Sequence, residues 1–217
     1  MESDAYRVPL EKNPLISIKV VPGHFTTSNI HTSHYLGFNT IKSNASIARD
    51  VARELAMPYL SSTLVDTIVC MERTTVIGAY LAEELLQHGT SVMNSDGDIH
   101  VVRPVNNING KLIFLDNAVR FIHNKNIILL VSTVSSGRTV KEALECLGYY
   151  GGKVTGISAL FTAFPNSQEL HDQKLHALFT AEDIPEYKIF SPAECEMCKA
   201  GQPLTAIVNS EGYTKIK

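Results

Sequence analysis

Apolar positions recur along the chain in two rhythms. Over residues 44–57, NASIARDVARELAM, Ile47, Val51 and Leu55 repeat at helical spacing while Arg49, Asp50, Arg53 and Glu54 fall elsewhere. This is the pattern of an amphipathic helix, and Pro58 ends it. Residues 66–71, DTIVCM, form a short apolar run of the buried-strand kind. Helical spacing returns over residues 75–88 through Val76, Tyr80, Leu81 and Leu85, with Gly89 placed as a closing residue. A strand is predicted at 91–94. Two polar turns follow, SDGD at 95–98 and NING at 107–110, on either side of IHVVRPV, and Asn109–Gly110 before KLIFL signals a hairpin. Beyond it lie an apolar strand at 127–131, a helix at 140–150, Gly151 and Gly152, and strands at 154–161 and 175–180.

Strands alternating with helices of this length predict an α/β fold: a mostly parallel sheet flanked by helices. A hairpin inserted between two such units rises from the carboxyl edge of the sheet, where open α/β sheets bind ligands. It reads equally as a lid or as solvated decoration. The 217 residues suit one domain, or one domain with an appendage. At 44% hydrophobic and 19% charged the composition is ordinary, and a net charge of −3 gives no footprint for nucleic acid or an anionic membrane. No apolar run approaches the roughly 20 residues a membrane span needs, and the polar start has no secretory h-region. Cys70 and Cys146 sit inside apolar patterns as buried thiols would. The expected compartment is the cytoplasm.

The stretch after the 127–131 strand is where chemistry concentrates. Residues 132–139 read STVSSGRT and run directly into the helical VKEALECLGYY. A strand passing through small hydroxylated residues to a helix N-terminus is a natural anion site, because free N–H groups and the helix dipole point at the incoming charge. Against the nucleotide-loop pattern GxxxxGK[ST], Ser132 replaces the first glycine and Arg138 the lysine, so that reading is disfavoured. Taken alone, the stretch also reads as a plain link whose serines cap the helix. His24, His31 and His34 group in GHFTTSNIHTSH, but their spacing matches no metal site, and capping or base contact is preferred over ligation. Cys195 and Cys198 would need two more ligands to close a zinc site. With no second C-x-x-C nearby, they read as a knuckle with buried thiols, and no metal ligand is expected from the protein.

IILLVSTVSSGRTVKEAL resembles the PRPP-binding segment of type I phosphoribosyltransferases: an apolar strand, two acidic residues, small hydroxyl residues, a glycine, a variable residue, and Thr or Ser. The resemblance continues in order. FTTSNIHTSHY is similar to the F-x-x-S-x-x-x-x-S-x-Y segment of orotate phosphoribosyltransferases at Phe25, Ser28, Ser33 and Tyr35. DTIVCMERTTVIGAYLAEEL looks like the following strand, pyrophosphate loop and helix, with Glu72, Arg73, Thr74 and Thr75 as the loop. Residues 95–115 stand where the family carries its flexible catalytic loop, and SPAECEMCKAGQP resembles the C-x-x-C-x-x-G-x-P knuckle of some members.

The resemblance implies a single domain: a hood segment (1–43), a core (44–190) with an inserted hairpin (95–115), and a C-terminal knuckle and tail (191–217). It implies transfer of phosphoribosyl from PRPP to a nucleobase, a pyrimidine such as orotate, giving a nucleoside monophosphate and pyrophosphate with Mg²⁺. Ser132, Thr133, Ser135, Ser136, Gly137, Arg138 and Thr139 would hold PRPP and its 5′-phosphate. Glu72, Arg73, Thr74 and Thr75 would lie near pyrophosphate, and Phe25, Ser28, Ser33 and Tyr35 on the hood side, by the base. It also implies a homodimer, for which Val76, Tyr80 and Leu81 offer an apolar helix face.

The departures bear on catalysis. Aligned from the glycine, Val131 and Ser132 fall on the family's acidic pair; aligned from the strand, Ser132 and Thr133 do. A hydroxyl accepts from a ribose OH more weakly than a carboxylate and holds no Mg²⁺. Glu142 is the nearest acid, and periodicity turns it to solvent. His100, Arg103 and Lys111 are the only basic residues the hairpin offers. The alternative function is therefore a non-catalytic module that binds a nucleotide or phosphorylated metabolite on the same fold.

Overall fold

The computed structural model describes residues 2–88, 97–164, 169–210 and 212–216. The predicted Gly89 closure, the strand at 91–94 and the start of the SDGD turn lie outside them. An antiparallel meander opens the chain: β1 (Tyr6–Leu10), β2 (Asn13–Thr26) and β3 (His31–Gly37). Two helices follow, α1 (Asn39–Ser43) and α2 (Ala45–Ala56), and then the unit β4 (Thr67–Cys70) and α3 (Thr75–His88). The next elements are β5 (His100–Val102), β6 (Val105–Asn106), β7 (Leu112–Ile113) and the short α4 (Asp116–Val119). β8 (Asn126–Val134) leads into α5 (Arg138–Tyr149), followed by β9 (Lys153–Thr162), β10 (Glu169–Leu170) and β11 (Gln173–Thr180). The tail adds β12 (Ile189–Phe190), α6 (Glu196–Lys199), β13 (Ala206–Asn209) and β14 (Gly212–Lys215).

Sequence patterning explains the core elements. Asn44 caps α2 by accepting the N–H groups of Ser46 and Ile47, and Ala48, Val51, Ala52 and Leu55 bury one face. β8 is buried from Ile127 to Ser132, as a strand covered on both faces must be. The core sheet has the order β10-β11-β9-β8-β4-β5, with only β10 antiparallel. One apolar cluster, around Ile68, Ile77, Leu81 and Leu130, packs α2 and α3 on one face. A second, around Leu129, Val131, Val140 and Leu147, packs α5 on the other. Gly78 lets α3 approach β4 closely: a Cβ there would overlap the Cys70 sulfur.

Two features differ from the pattern-based expectation. The inserted hairpin is shorter, because His100–Val102 pairs parallel with β4 as the edge of the core sheet and only β6 and β7 form a ribbon around the Asn109–Gly110 turn. The triplet His100, Val101 and Val102 gains ladder hydrogen bonds at that open sheet edge. The hood is also not purely N-terminal. β12, β13 and β14 join β1–β3 in one six-stranded sheet, with β13 parallel to the end of β2.

Candidate functional site

A cavity of about 670 Å³ lies between the carboxyl ends of the core strands and the hood sheet. Its floor is the β8–α5 connection, residues 132–140; its walls come from the β2–β3 loop, from Tyr35, Phe38, Asn39 and Lys42, and from the β13 residues Ile207, Val208 and Asn209. Gly137 adopts φ +74° at the N-cap of α5, a left-handed conformation suited to glycine, and no side chain caps the helix. The first-turn N–H groups therefore face a cavity rather than a hydroxyl, which is what an anion site requires. Among the described residues, Lys42 and Arg138 are the cations lining the cavity and Glu72 the one carboxylate. The electrostatic balance favours an anionic ligand.

Glu72 does something its neighbours do not. It follows β4, yet its Oε2 accepts the backbone N–H groups of Ser132 (2.9 Å) and Thr133 (3.2 Å) on β8. Glu72 and Arg73 both have positive φ, +49° and +64°, a costly pair for residues with side chains. That backbone bends the carboxylate over the end of the adjacent strand. Burial pushes the Glu72 carboxyl above its ordinary range, opposed by Lys42 and by the two N–H groups. Thr74 pins the loop from below, its hydroxyl donating to the carbonyls of Met71 (2.7 Å) and Leu130 (3.2 Å).

No family model matches the sequence. The orotate phosphoribosyltransferase of Sulfurimonas denitrificans is 23% identical over 197 residues, covering 84% of this chain and 89% of that protein. The orotate phosphoribosyltransferase of Caldicellulosiruptor bescii is 21% identical over 207 residues, covering 94% and 96%. Among solved structures, Leishmania donovani UMP synthase superposes with a TM-score of 0.53 at 18% identity, covering 75% of this chain and 34% of that one. This chain thus spans about a third of that protein. The orotate phosphoribosyltransferase of Aeropyrum pernix superposes at 0.50, also at 18% identity, covering 75% and 88%. The fold is that of the type I phosphoribosyltransferases.

On that fold the expected residues divide. Ser132, Thr133, Ser135, Ser136, Gly137, Arg138 and Thr139 all line the cavity, as do Ser28, Tyr35 and Glu72. Five expected positions do not line it. Phe25 is fully buried in the hood core with Val21 and Ala206, because its side of β2 faces inward. Ser33 holds β3 to the segment before β12, its hydroxyl accepting from Lys188 N at 2.8 Å. Thr74 is the buried pin already described. Thr75 is exposed at the start of α3. Arg73 is exposed and also absent from the lining. Arg138 does not turn in: its Nε donates to Glu142 (3.0 Å) and an Nη to Asn29 (2.9 Å), clasping the hood loop. His100 stacks on Phe121 in the core-sheet edge, and Arg103 and Lys111 are exposed.

At the acidic-pair positions, Val131 is buried in the core and Ser132 points up at only 3% exposure. Thr133 also lines the cavity. Pattern reading missed Lys42, Asn29 and the β13 wall. Asn29 lay inside the quoted hood motif and could have been found there, whereas Lys42 and β13 reach the cavity only through the tertiary fold.

The cysteine pair has neighbours that its spacing did not show. His24 and His31 stand beside Cys195 and Cys198, with one potential ligand atom from each within 4.8 Å of the others. The two partners that the cysteine pair lacked in sequence come from β2 and β3, about 165 residues away, which is why spacing could not reveal them. His34 is separate: its Nδ1 meets the Ser33 hydroxyl at 2.8 Å and its ring stacks on Tyr187.

Proposed function

We propose that the protein binds a phosphorylated ribose in this cavity and transfers phosphoribosyl from PRPP to a pyrimidine base such as orotate. The observation that carries this reading is the uncapped α5 N-terminus, ringed by Ser135, Ser136 and Thr139 and facing the cavity. The 5′-phosphate would sit on residues 135–139, the ribose across Ser132 and Thr133, and the base under the hood near Tyr35 and Phe38. In the transfer the C1′–O bond to pyrophosphate breaks as the base nitrogen bonds C1′. Positioning of the ribose and stabilisation of the departing charge supply most of the rate in such a step. Lys42 stands where it can offset phosphate charge. The orotate enzymes this chain resembles supply the choice of base.

Among the described residues, magnesium fits the donors present only as an ion carried on the diphosphate, with Glu72 the single carboxylate able to contact it. Bound that way, it would neutralise pyrophosphate. A second reading is favoured by Val131: the buried strand end carries no acid of its own, so the protein could bind nucleotide without turnover. A homodimer belongs to the first reading. Its support here narrows to Val76, 42% exposed, and the half-buried Tyr80, since Leu81 is fully buried against the sheet.

Calorimetric titration with PRPP and with uridine monophosphate, each with and without Mg²⁺, together with an orotate-consumption assay, separates the readings. Binding plus turnover supports transfer. Binding of the monophosphate without turnover supports the binding module. No binding of either at millimolar concentration removes both.

A further inference from the structure

Away from the cavity, four side chains converge on one point. The Nδ1 of His24 lies 2.9 Å from the carbonyl oxygen of Gln202. A carbonyl only accepts, so Nδ1 carries the proton and Nε2 presents a lone pair. That lone pair faces His31 Nδ1 at 3.1 Å, Cys195 Sγ at 3.4 Å and Cys198 Sγ at 3.7 Å, while Cys198 Sγ also lies 3.4 Å from His31 Nδ1. One lone pair cannot accept from three donors with good geometry. A tetrahedral ion with usual zinc bond lengths sets sulfur–nitrogen pairs at about 3.5 Å and the nitrogen–nitrogen pair at about 3.3 Å. The observed separations lie within a few tenths of an ångström of those values.

We propose that His24, His31, Cys195 and Cys198 form a structural zinc site. The donor set is two nitrogens and two sulfurs, which suits tetrahedral Zn²⁺. On binding, both thiols lose their protons to solvent, and two thiolates neutralise the ion, so the largely buried cluster carries no net charge. His24 is fully buried, His31 8% exposed and Cys195 1% exposed, whereas Cys198, expected as a buried thiol, is exposed at the edge of the cluster. With no fourth position left for water, the site is closed, as structural sites are.

The backbone prepares the geometry. The register of β2 against β3 shifts between Pro22 and Phe25, a bulge that re-aims His24. His24 N donates to the Thr205 hydroxyl at 3.0 Å, and Thr205 N donates to the His24 carbonyl at 2.6 Å. Cys195 occupies the N-cap of α6, placing Cys198 on its first turn. The ion would therefore staple the tail onto the hood just before β13, the strand that walls the cavity.

The test uses the full chain and needs no substrate. After dialysis, elemental analysis should find about one zinc per chain in the wild type and less than a tenth of that in Cys195→Ser/Cys198→Ser and in His31→Asn. Because those variants can misfold, the wild type is also stripped and reloaded with Co²⁺. Tetrahedral ligand-field bands together with thiolate-to-cobalt charge transfer in the near ultraviolet are the expected result. The proposal is overturned by wild-type protein that neither carries zinc nor gives that cobalt spectrum, by iron in its place, by a Cys195–Cys198 disulfide, or by zinc retained in both variants.

Discussion

Two neighbouring strand ends serve the cavity in opposite ways. After β8 the chain turns through small residues with one left-handed glycine, leaving N–H groups open to a ligand. After β4 it turns through Glu72 and Arg73, both left-handed and neither glycine, and folds a carboxylate back onto its neighbour. One end is open and poor in charge; the other is strained and supplies the charge. An acid missing from one strand can thus be provided, at about the same height, by the loop of the next. A linear comparison of the β8 motif alone therefore understates what the site contains.

The largest effect should come from closing the open end. Gly137→Asp puts a side chain and a negative charge where phosphate approaches. Its added Cβ would meet Leu170 Cδ1 at 3.3 Å, and the φ of +74° adds strain of about 1 kcal/mol. We expect affinity for uridine monophosphate to fall at least ~100-fold, about 2.7 kcal/mol. Calorimetry reads the loss, and a melting curve confirms a folded protein. Wild-type affinity in a folded variant would sink the proposed phosphate site.

Next is the strained end. Glu72→Gln keeps an acceptor for Ser132 N and Thr133 N but removes the one carboxylate that lines the cavity among the described residues. Any Mg²⁺-dependent gain in PRPP affinity should drop by about tenfold, while Mg²⁺-free monophosphate binding changes less than about twofold. The same variant carries a pH signature. Burial raises the folded-state pKa of Glu72, so the folded protein holds that proton more tightly than the unfolded chain does. Stability of the wild type relative to Glu72→Gln should rise as pH falls from neutrality through the folded pKa, and level off near the ordinary value of 4.5. Parallel melting curves that keep a constant offset across this range would show that Glu72 is not perturbed.

How far the sequence anticipated this contrast depends on the range of the interaction. The α2, α3 and α5 helices and the core strands were legible because periodicity is local: the Ile47, Val51, Leu55 repeat and the stop at Pro58 announce α2. β8 ran three residues further than its apolar stretch, because Thr133 and Val134 still pair in the sheet beside β9. The hood sheet was not legible, since β13 meets β2 across nearly the whole chain. The reach of Glu72 onto β8 was hidden for another reason. Positive φ at Glu72 and Arg73 has no signature in residue types that normally avoid it.

Placing an acid on β8 itself sharpens the comparison further. Ser132 is 3% exposed, and its N–H already donates to Glu72. Ser132→Asp would set a second carboxylate against the first in a poorly solvated place, costing on the order of 2 kcal/mol. Combined with Glu72→Gln, the cost should shrink, because one charge remains where there were two. A double-mutant cycle in thermal or urea unfolding measures the coupling, and strict additivity would mean that the two side chains do not share the strand end.

The smallest effect belongs to Arg138, the one cation in the phosphate loop. Were its guanidinium aimed at the ligand, Arg138→Ala would weaken phosphate binding by an order of magnitude or more. The geometry says otherwise: both of its hydrogen bonds run outward, to Glu142 and to Asn29 on the hood loop, and its side chain is 64% exposed. Exposed pairs of this kind contribute about 0.2–1 kcal/mol. The expected result is a stability loss below about 0.5 kcal/mol and a monophosphate affinity within about threefold of wild type. The bond to Asn29 gives the variant one distinguishing mark. It fastens the rim of the hood to the start of α5, so its removal should speed ligand release more than it slows binding. Stopped-flow measurement of both rates checks this. An equal fall in the association rate would mean that Arg138 meets the phosphate directly, and that the open strand end relies on a side-chain cation after all.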